Sequence, residues 1–316
     1  MFARAALGVG ESSAFPSAIK SVAEWFPQRE RALANGFFNG GTNIGAIVAP
    51  IAVPLITLSY GWHAAFLFTG LIGLIWLPIW LLLYRRPREH KTISAAELAW
   101  IEQDPPQAPV AKLPLSWVLK QRQTWAYAIG KFLTDPIFGM YLIWLPDFLG
   151  KRYGLDLRAL IWPLASIYLL TDVGSLFGGW LSSHFLKRGW SVNAARKGAL
   201  LICALGALPV FTAQLADNVW ITVLIIGLAG AAHQGFSATL YALPADLMPR
   251  AGVGSVAGVG GMLGAAGGIV MSKYAGTVLD QGHSYLPIFL VASCAYLVAV
   301  LAIHALSPRM APATSP

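Results

Sequence analysis

Arg4 and Glu11 stand seven residues apart in the apolar stretch that opens the chain. Seven residues are about two helical turns, so both side chains project from one face. A carboxylate inside an apolar span is costly and marks a functional position by default. Burial disfavours its charged form and a nearby guanidinium favours it, so filling or emptying an anion site beside the pair would switch whether Glu11 holds a proton. Glu11 is therefore the candidate proton carrier and Arg4 a candidate pathway or substrate-linked charge, with a static ion pair as the alternative.

Lys131 and Asp135 are spaced i, i+4, and Pro136 follows, which removes a rung of backbone hydrogen bonding and allows a discontinuous helix. Lys131 could meet an anionic substrate or form an internal salt bridge near a kink. Further along, Tyr141 and Trp144 can stack on a sugar ring and donate hydrogen bonds, or fill a core. His233, Gln234, Ser237 and Thr239 form a polar cluster suited to a hydroxyl-rich ligand, as do Asn39, Thr42 and Asn43 in an earlier apolar run. Polar glue between helices is the competing role for both sets. Glycines at spacings of four, Gly36 to Gly45 and Gly254 to Gly268, let helices approach closely, and none follows a strand as a nucleotide-binding loop requires.

The sequence lacks HExxH, GxSxG, P-loop and paired-cysteine motifs, so no metal, no cofactor and no enzyme activity is expected. Cys203 and Cys294 lie in apolar runs and read as small buried hydrophobes.

The elements that must position these residues are set by composition. The 316 residues are 56% hydrophobic and 11% charged, with mean hydropathy +0.61, whereas a soluble domain is about a quarter charged. Runs of about 20 apolar residues match the thickness of a bilayer core. These features imply an all-α integral membrane protein with nine spans. The spans are expected over residues 2–25, 32–58, 64–84, 125–149, 160–185, 198–216, 219–243, 252–278 and 285–306. The net charge of +8 sits in clusters between spans rather than on one basic face, which argues against a nucleic-acid partner. The first span has neither the basic start nor the cleavage site of a signal peptide.

Most Lys and Arg, among them Arg29, Arg31, Arg85, Lys120, Lys187 and Arg250, fall on one side, and Lys151, Arg152 and Arg158 on the other. The positive-inside rule makes the crowded side and the C-terminus cytoplasmic. A polar stretch between the third and fourth spans is the one sizeable extramembrane segment, where Ser94 with Glu97 would cap a short helix. The organisation is then a partial helix bundle at 1–84, a cytoplasmic linker at 85–123, a six-helix bundle at 124–308 and a cytoplasmic tail at 309–316. Pro27, Gly36 and Gly45 recur at one constant offset as Pro249, Gly258 and Gly267, and Glu24 recurs as Asp246. At that offset His233 occupies the place of Glu11. A parallel repeat of this kind, with substrate held between the halves, belongs to two six-helix units, so three further helices are expected ahead of the first. Without them the chain is expected to transport poorly, as an inactive truncated fragment.

The opening stretch resembles the fourth and fifth helices of the anion:cation symporter branch of the major facilitators. Arg4, Glu11, Pro16 and the Trp25-Phe26-Pro27 turn with Arg29, Glu30 and Arg31 carry that likeness. KFLTDPIFGMYLIWLPDFL from Lys131, the run from Asp172 to Lys197, and AHQGFSATLYALPADLMP from Ala232 are similar to the hexuronate transporters of that branch. The resemblance implies a major-facilitator fold carrying nine of the usual twelve helices. It implies inward symport of a carboxylated sugar such as glucuronate or galacturonate with protons, by alternating access in the inner membrane, by a monomer in the lipid bilayer. An aldonate, an aldarate or an aromatic acid is the alternative substrate. In one departure, Ser182 and Ser183 stand near Lys187-Arg188 where the superfamily carries an acidic residue, so a gating contact there is expected to be weakened.

Overall fold

The computed structural model describes residues 6, 8, 10, 14–90, 92–104, 113–156, 159–282 and 284–313, with backbone alone at 39, 40, 42–44, 46, 47, 49–51, 53–55 and 58. Arg4 and Glu11 lie outside the described residues, as do the side chains of Asn39, Thr42 and Asn43. Every regular element described is helical: α1 (Ala14–Trp25), α2 (Arg31–Tyr60), α3 (Trp62–Leu83), α4 (Ala95–Ile101), α5 (Leu115–Lys120), α6 (Arg122–Tyr153), α7 (Ile161–Lys187), α8 (Val192–Ala207), α9 (Val219–Leu240), α10 (Leu243–Leu247), α11 (Arg250–Asp280) and α12 (Leu286–Leu306).

Six segments among the described residues are long and apolar enough to cross a membrane: α3, α7, α8 with the 3₁₀ turn that follows it, α9 with α10, α11 and α12. The helices α2 and α6 run for 30 and 32 residues, ample for a hydrocarbon core of about 30 Å at 1.5 Å per residue. Lys131, Asp135 and Asp147 dilute the apolarity of α6, as suits a helix that lines a cavity. Within α3 the one buried residue is Ala65; its exposed Phe66, Leu67, Leu74 and Leu82 are the composition that hydrocarbon accepts.

Sequence punctuation sets the ends. Gly61 at φ 82° joins α2 to α3, and Gly154 at φ 66° stops α6 four residues beyond the expected end, conformations that favour glycine. Pro209 turns α8 into a 3₁₀ segment over Leu208–Leu215. In the linker, Ser94 accepts from the Glu97 N–H at 3.1 Å and caps α4. Cys203 is buried as expected, whereas Cys294 is exposed, on the outward face of α12.

The expected break at Pro136 does not occur: α6 is continuous through Pro136 and Pro146. Pro136 has no N–H for the carbonyl of Phe132, and that carbonyl abuts Gly267 of α11, where a Cβ would collide with it. The lost rung is absorbed by a close neighbouring helix rather than by unwinding.

α6 packs on α11 and α12, and α7 on α9 and α2. Of the glycines singled out from sequence, Gly36, Gly260, Gly264 and Gly267 sit against a neighbour, while Gly41, Gly45, Gly254, Gly258 and Gly268 face open space. The tightest crossing uses Gly174 and Gly178 of α7, which touch the α9 backbone at Ala231 and Gly235, a small-residue seam of the kind that brings membrane helices together. Gly178→Val drives a side chain into that backbone and is expected to lower stability by about 1–3 kcal/mol, read as a lower thermal midpoint of the detergent-purified protein. Gly254→Ala, into open space, is expected to stay within about 0.5 kcal/mol of the parent.

Candidate functional site

Helical spacing builds the site on α6 and α9. Tyr127, Lys131 and Asp135 are four apart on α6, and His233, Ser237 and Tyr241 are four apart along α9 and its cap, so each trio shares a face. The two faces meet. Lys131 Nζ lies 2.6 Å from Asp135 Oδ2, donates to the Tyr241 hydroxyl at 3.1 Å and sits 4.3 Å from the centroid of that ring, within cation–π range. The Lys131 side chain is 5% exposed and that of Asp135 27%.

Two cavities flank this pair. One of ≈ 280 Å³ is lined by His233, Gln234, Ser237, Phe138 and Gly139, with Phe15, Asp135 and Tyr241. The other, of ≈ 910 Å³, is lined by Lys131 and Tyr127 with α1 (Pro16, Ile19) and α11 (Gly258, Met262), and again by Phe15, Asp135 and Tyr241. The space therefore lies between helices from the two ends of the chain. His233 Nδ1 and the Tyr296 hydroxyl share a hydrogen bond of 2.8 Å, and its ring is parallel to Phe138 at 5.0 Å. The imidazole is thus fixed in place, with Gln234 and Ser237 beside it.

Of the residues expected from sequence, Lys131, His233, Gln234 and Ser237 come together here. Tyr141 and Trp144 do not. They lie farther along α6 in an aromatic cluster with Phe148, Tyr285 and Phe289 that leaves no room for water, their hydroxyl and indole N–H buried without a hydrogen-bond partner. About three to three and a half turns beyond Lys131, they pack in the core rather than facing the cavity. Tyr241, Tyr127 and Phe15 were not anticipated; the four-residue step from Ser237 to Tyr241 was the available signal.

A second polar centre closes the end of the bundle where the cations crowd. Arg196 and Asp246, both with fully buried side chains, pair at 2.7 Å. Arg196 also donates to Ser182 Oγ and to the Gln28 carbonyl, each at 2.8 Å. Asp246 accepts from Gln28 Nε2 at 3.0 Å and lies 3.6 Å from Arg31, which reaches Asp104 of the linker at 3.2 Å. The expectation of a weakened contact around Ser182 does not hold, because Asp246 supplies the carboxylate and Ser182 adds an acceptor. On the linker surface Arg88 binds Glu102 through bonds of 2.6 and 3.0 Å, which hold that carboxyl below the usual carboxylate range.

A sequence profile of the Major Facilitator Superfamily matches residues 1–272. The chain belongs to that superfamily. It is a multi-pass membrane transporter rather than an enzyme. It is 31% identical to the hexuronate transporter of Escherichia coli (strain K12), over 95% of this chain and 71% of that protein. It is 35% identical to the galacturonate transporter of Dickeya chrysanthemi over 66% of this chain and 64% of the relative, and 30% identical to the D-galactonate transporter of Escherichia coli O6:H1 over 94% and 71%. Among solved structures it resembles a bacterial homologue of the iron transporter ferroportin in an outward-facing state. That match has TM-score 0.59 at 15% identity, over 88% of this chain and 65% of the other, a likeness of fold alone.

The Arg196 and Asp246 centre is open to a stability measurement. Asp246→Ala strands a buried guanidinium, which is expected to cost about 3–5 kcal/mol and to lower the thermal midpoint clearly. Replacing both partners, Arg196→Met with Asp246→Leu, is expected to recover a large part of that loss.

Proposed function

We propose that this chain serves proton-coupled symport of a hexuronate or a closely related sugar acid across the inner membrane by alternating access, with its C-terminus cytoplasmic. The observation that carries the reading is a nearly buried ammonium, Lys131, on the wall of a cavity between helices from both ends of the chain. Tyr241 bonds to it, and with Asp135 and Phe15 borders both this cavity and the smaller one beside it, which Ser237, Gln234 and the imidazole of His233 line. An ammonium held away from water attracts a carboxylate, while Ser, Gln and Tyr suit the hydroxyls of a sugar ring, and Phe15 and Phe138 offer apolar faces for its carbons. The named substrates of the relatives, hexuronate, galacturonate and galactonate, share that pairing of one carboxylate with several hydroxyls. Of the remaining candidates, Arg4 and Glu11 are assigned to proton coupling, and Asn39, Thr42 and Asn43 to further hydroxyl contacts. The unit is taken as a monomer.

Two measurements test this. Binding of labelled D-galacturonate to the purified chain in lipid nanodiscs is expected to weaken at least tenfold in Lys131→Ala, a loss of about 1.4 kcal/mol or more. Binding unchanged in that variant would remove the carboxylate from this site. In proteoliposomes with an imposed pH gradient, whatever uphill accumulation the parent shows is expected to be lost in Glu11→Gln while exchange of internal for external substrate is retained. Accumulation equal to the parent's would free Glu11 of the coupling role.

A further inference from the structure

Two of the carboxylates that stand beside buried cations, Asp246 and Asp135, are built differently. Asp246 is fully buried, pairs with Arg196, accepts from Gln28 and lies near Arg31; it is locked from three sides. Asp135 is bonded to Lys131, keeps 27% of its side chain exposed, and borders both cavities. Across from its carboxylate α11 presents Gly264, where a Cβ would occupy the space of Oδ2. One is a fixed counter-ion and the other faces the space where a ligand would arrive.

The charge balance of the site limits how a ligand can enter it. Lys131 and Asp135 together are neutral, and a substrate carboxylate brought to Lys131 adds one negative charge around a nearly buried ammonium. Two carboxylates on one ammonium in such surroundings cannot both stay ionised at ordinary cost, and one of them takes a proton. The substrate is the more acidic partner, because a sugar carboxyl carries electron-withdrawing oxygens. Asp135 is the group that gains the proton.

We propose that Asp135 is an exchangeable counter-ion and proton carrier: the substrate carboxylate displaces it from Lys131, and the freed carboxylate takes one proton from solution. No covalent bond to the ligand forms, and the site stays neutral, with ammonium, substrate carboxylate and carboxylic acid in place of ammonium and aspartate. Release reverses the exchange. This inference rests on the reading of the cavity as a carboxylate site, and it adds a second proton carrier to Glu11. Among the described residues, the other titratable groups facing Asp135 are Lys131 and Tyr127 on its own helix, Tyr241 at the end of α9, His233 on α9 and Tyr296 on α12. Among the described residues α11 meets it with glycine and apolar side chains. His233 is the competing proton acceptor; it is already engaged by Tyr296 and stacked on Phe138.

The test is proton uptake during binding. The purified chain in nanodiscs, in weak buffer with a pH-indicator dye near neutrality, is titrated with D-galacturonate. Uptake of about one proton per ligand is expected, with affinity falling about tenfold per pH unit on the alkaline side. Asp135→Asn is expected to bind with about one proton fewer taken up per ligand than the parent and to lose the corresponding pH dependence, whereas Asp135→Glu retains both. Ligand binding by the parent without proton uptake, or uptake undiminished in Asp135→Asn, overturns this inference and leaves the carboxylate site standing. Uptake lost in His233→Gln but retained in Asp135→Asn assigns the proton to the imidazole and overturns it likewise. Failure of the parent to bind galacturonate at all removes the site reading and the inference together.

Discussion

A charge held away from water must bring its counter-ion with it, and where that counter-ion sits governs what the surrounding helices can do. Two of the buried cations among the described residues show two ways of meeting this demand. Lys131 is compensated from its own helix, one turn away, by Asp135. Arg196 is compensated across helices, by Asp246 of α10 and by the turn that carries Gln28. The first ion pair lies within α6, whose two partners move together, and only the Lys131 bond to Tyr241 reaches another element. The second ties α8 and α10 to the loop between α1 and α2, so those elements cannot separate without exposing an unpaired guanidinium and an unpaired carboxylate at once.

The backbone solves the matching problem for neutral groups. A helix that crosses hydrocarbon satisfies its own N–H and C=O groups, and a proline inside it leaves one carbonyl without a donor. In α6 that carbonyl belongs to Phe132, and the glycine opposite it, Gly267, lets α11 come close enough to cover it. The same closeness places Gly264 against Asp135 and Gly260 against Tyr127. The glycine-rich face of α11 therefore seals the proline defect, while the adjacent face of the same helix, with Gly258, Gly261 and Met262, forms one wall of the larger cavity.

Much of this was legible in the sequence. Apolar runs of span length, the cation asymmetry and the capped linker helix need only local rules, and the Ser94 cap is as expected. The cavity was half legible: Lys131, His233, Gln234 and Ser237 are polar residues in apolar runs, which is a strong signal because hydrocarbon tolerates few of them. Tyr141 and Trp144 carried a weak one, since aromatic residues serve cores as readily as sites, and periodicity cannot tell which side of a helix its neighbours cover. Pro136 was misread because a proline announces a missing hydrogen bond and not how the loss is met, and Gly267 lies far away in sequence. The Arg196 network was invisible for the same reason. Its members come from five separate segments, and the local absence of an acid near Ser182 was compensated by Asp246 on another helix.

The closed end of the bundle also has a cooperative character. Arg196, Asp246, Gln28, Arg31 and Asp104 are joined in one chain of bonds, with Ser182 as a branch. Removing any one contact leaves the others to hold the same helices, so partial separation gains little relief for the groups already stranded. Full separation releases them together into water, where each is solvated. Such a network favours two arrangements, wholly made or wholly hydrated, over intermediates in which buried charges lack partners. The alternating access proposed above requires one end to close while the other opens, and such a network would supply that discreteness through charge burial rather than through the strength of any single bond.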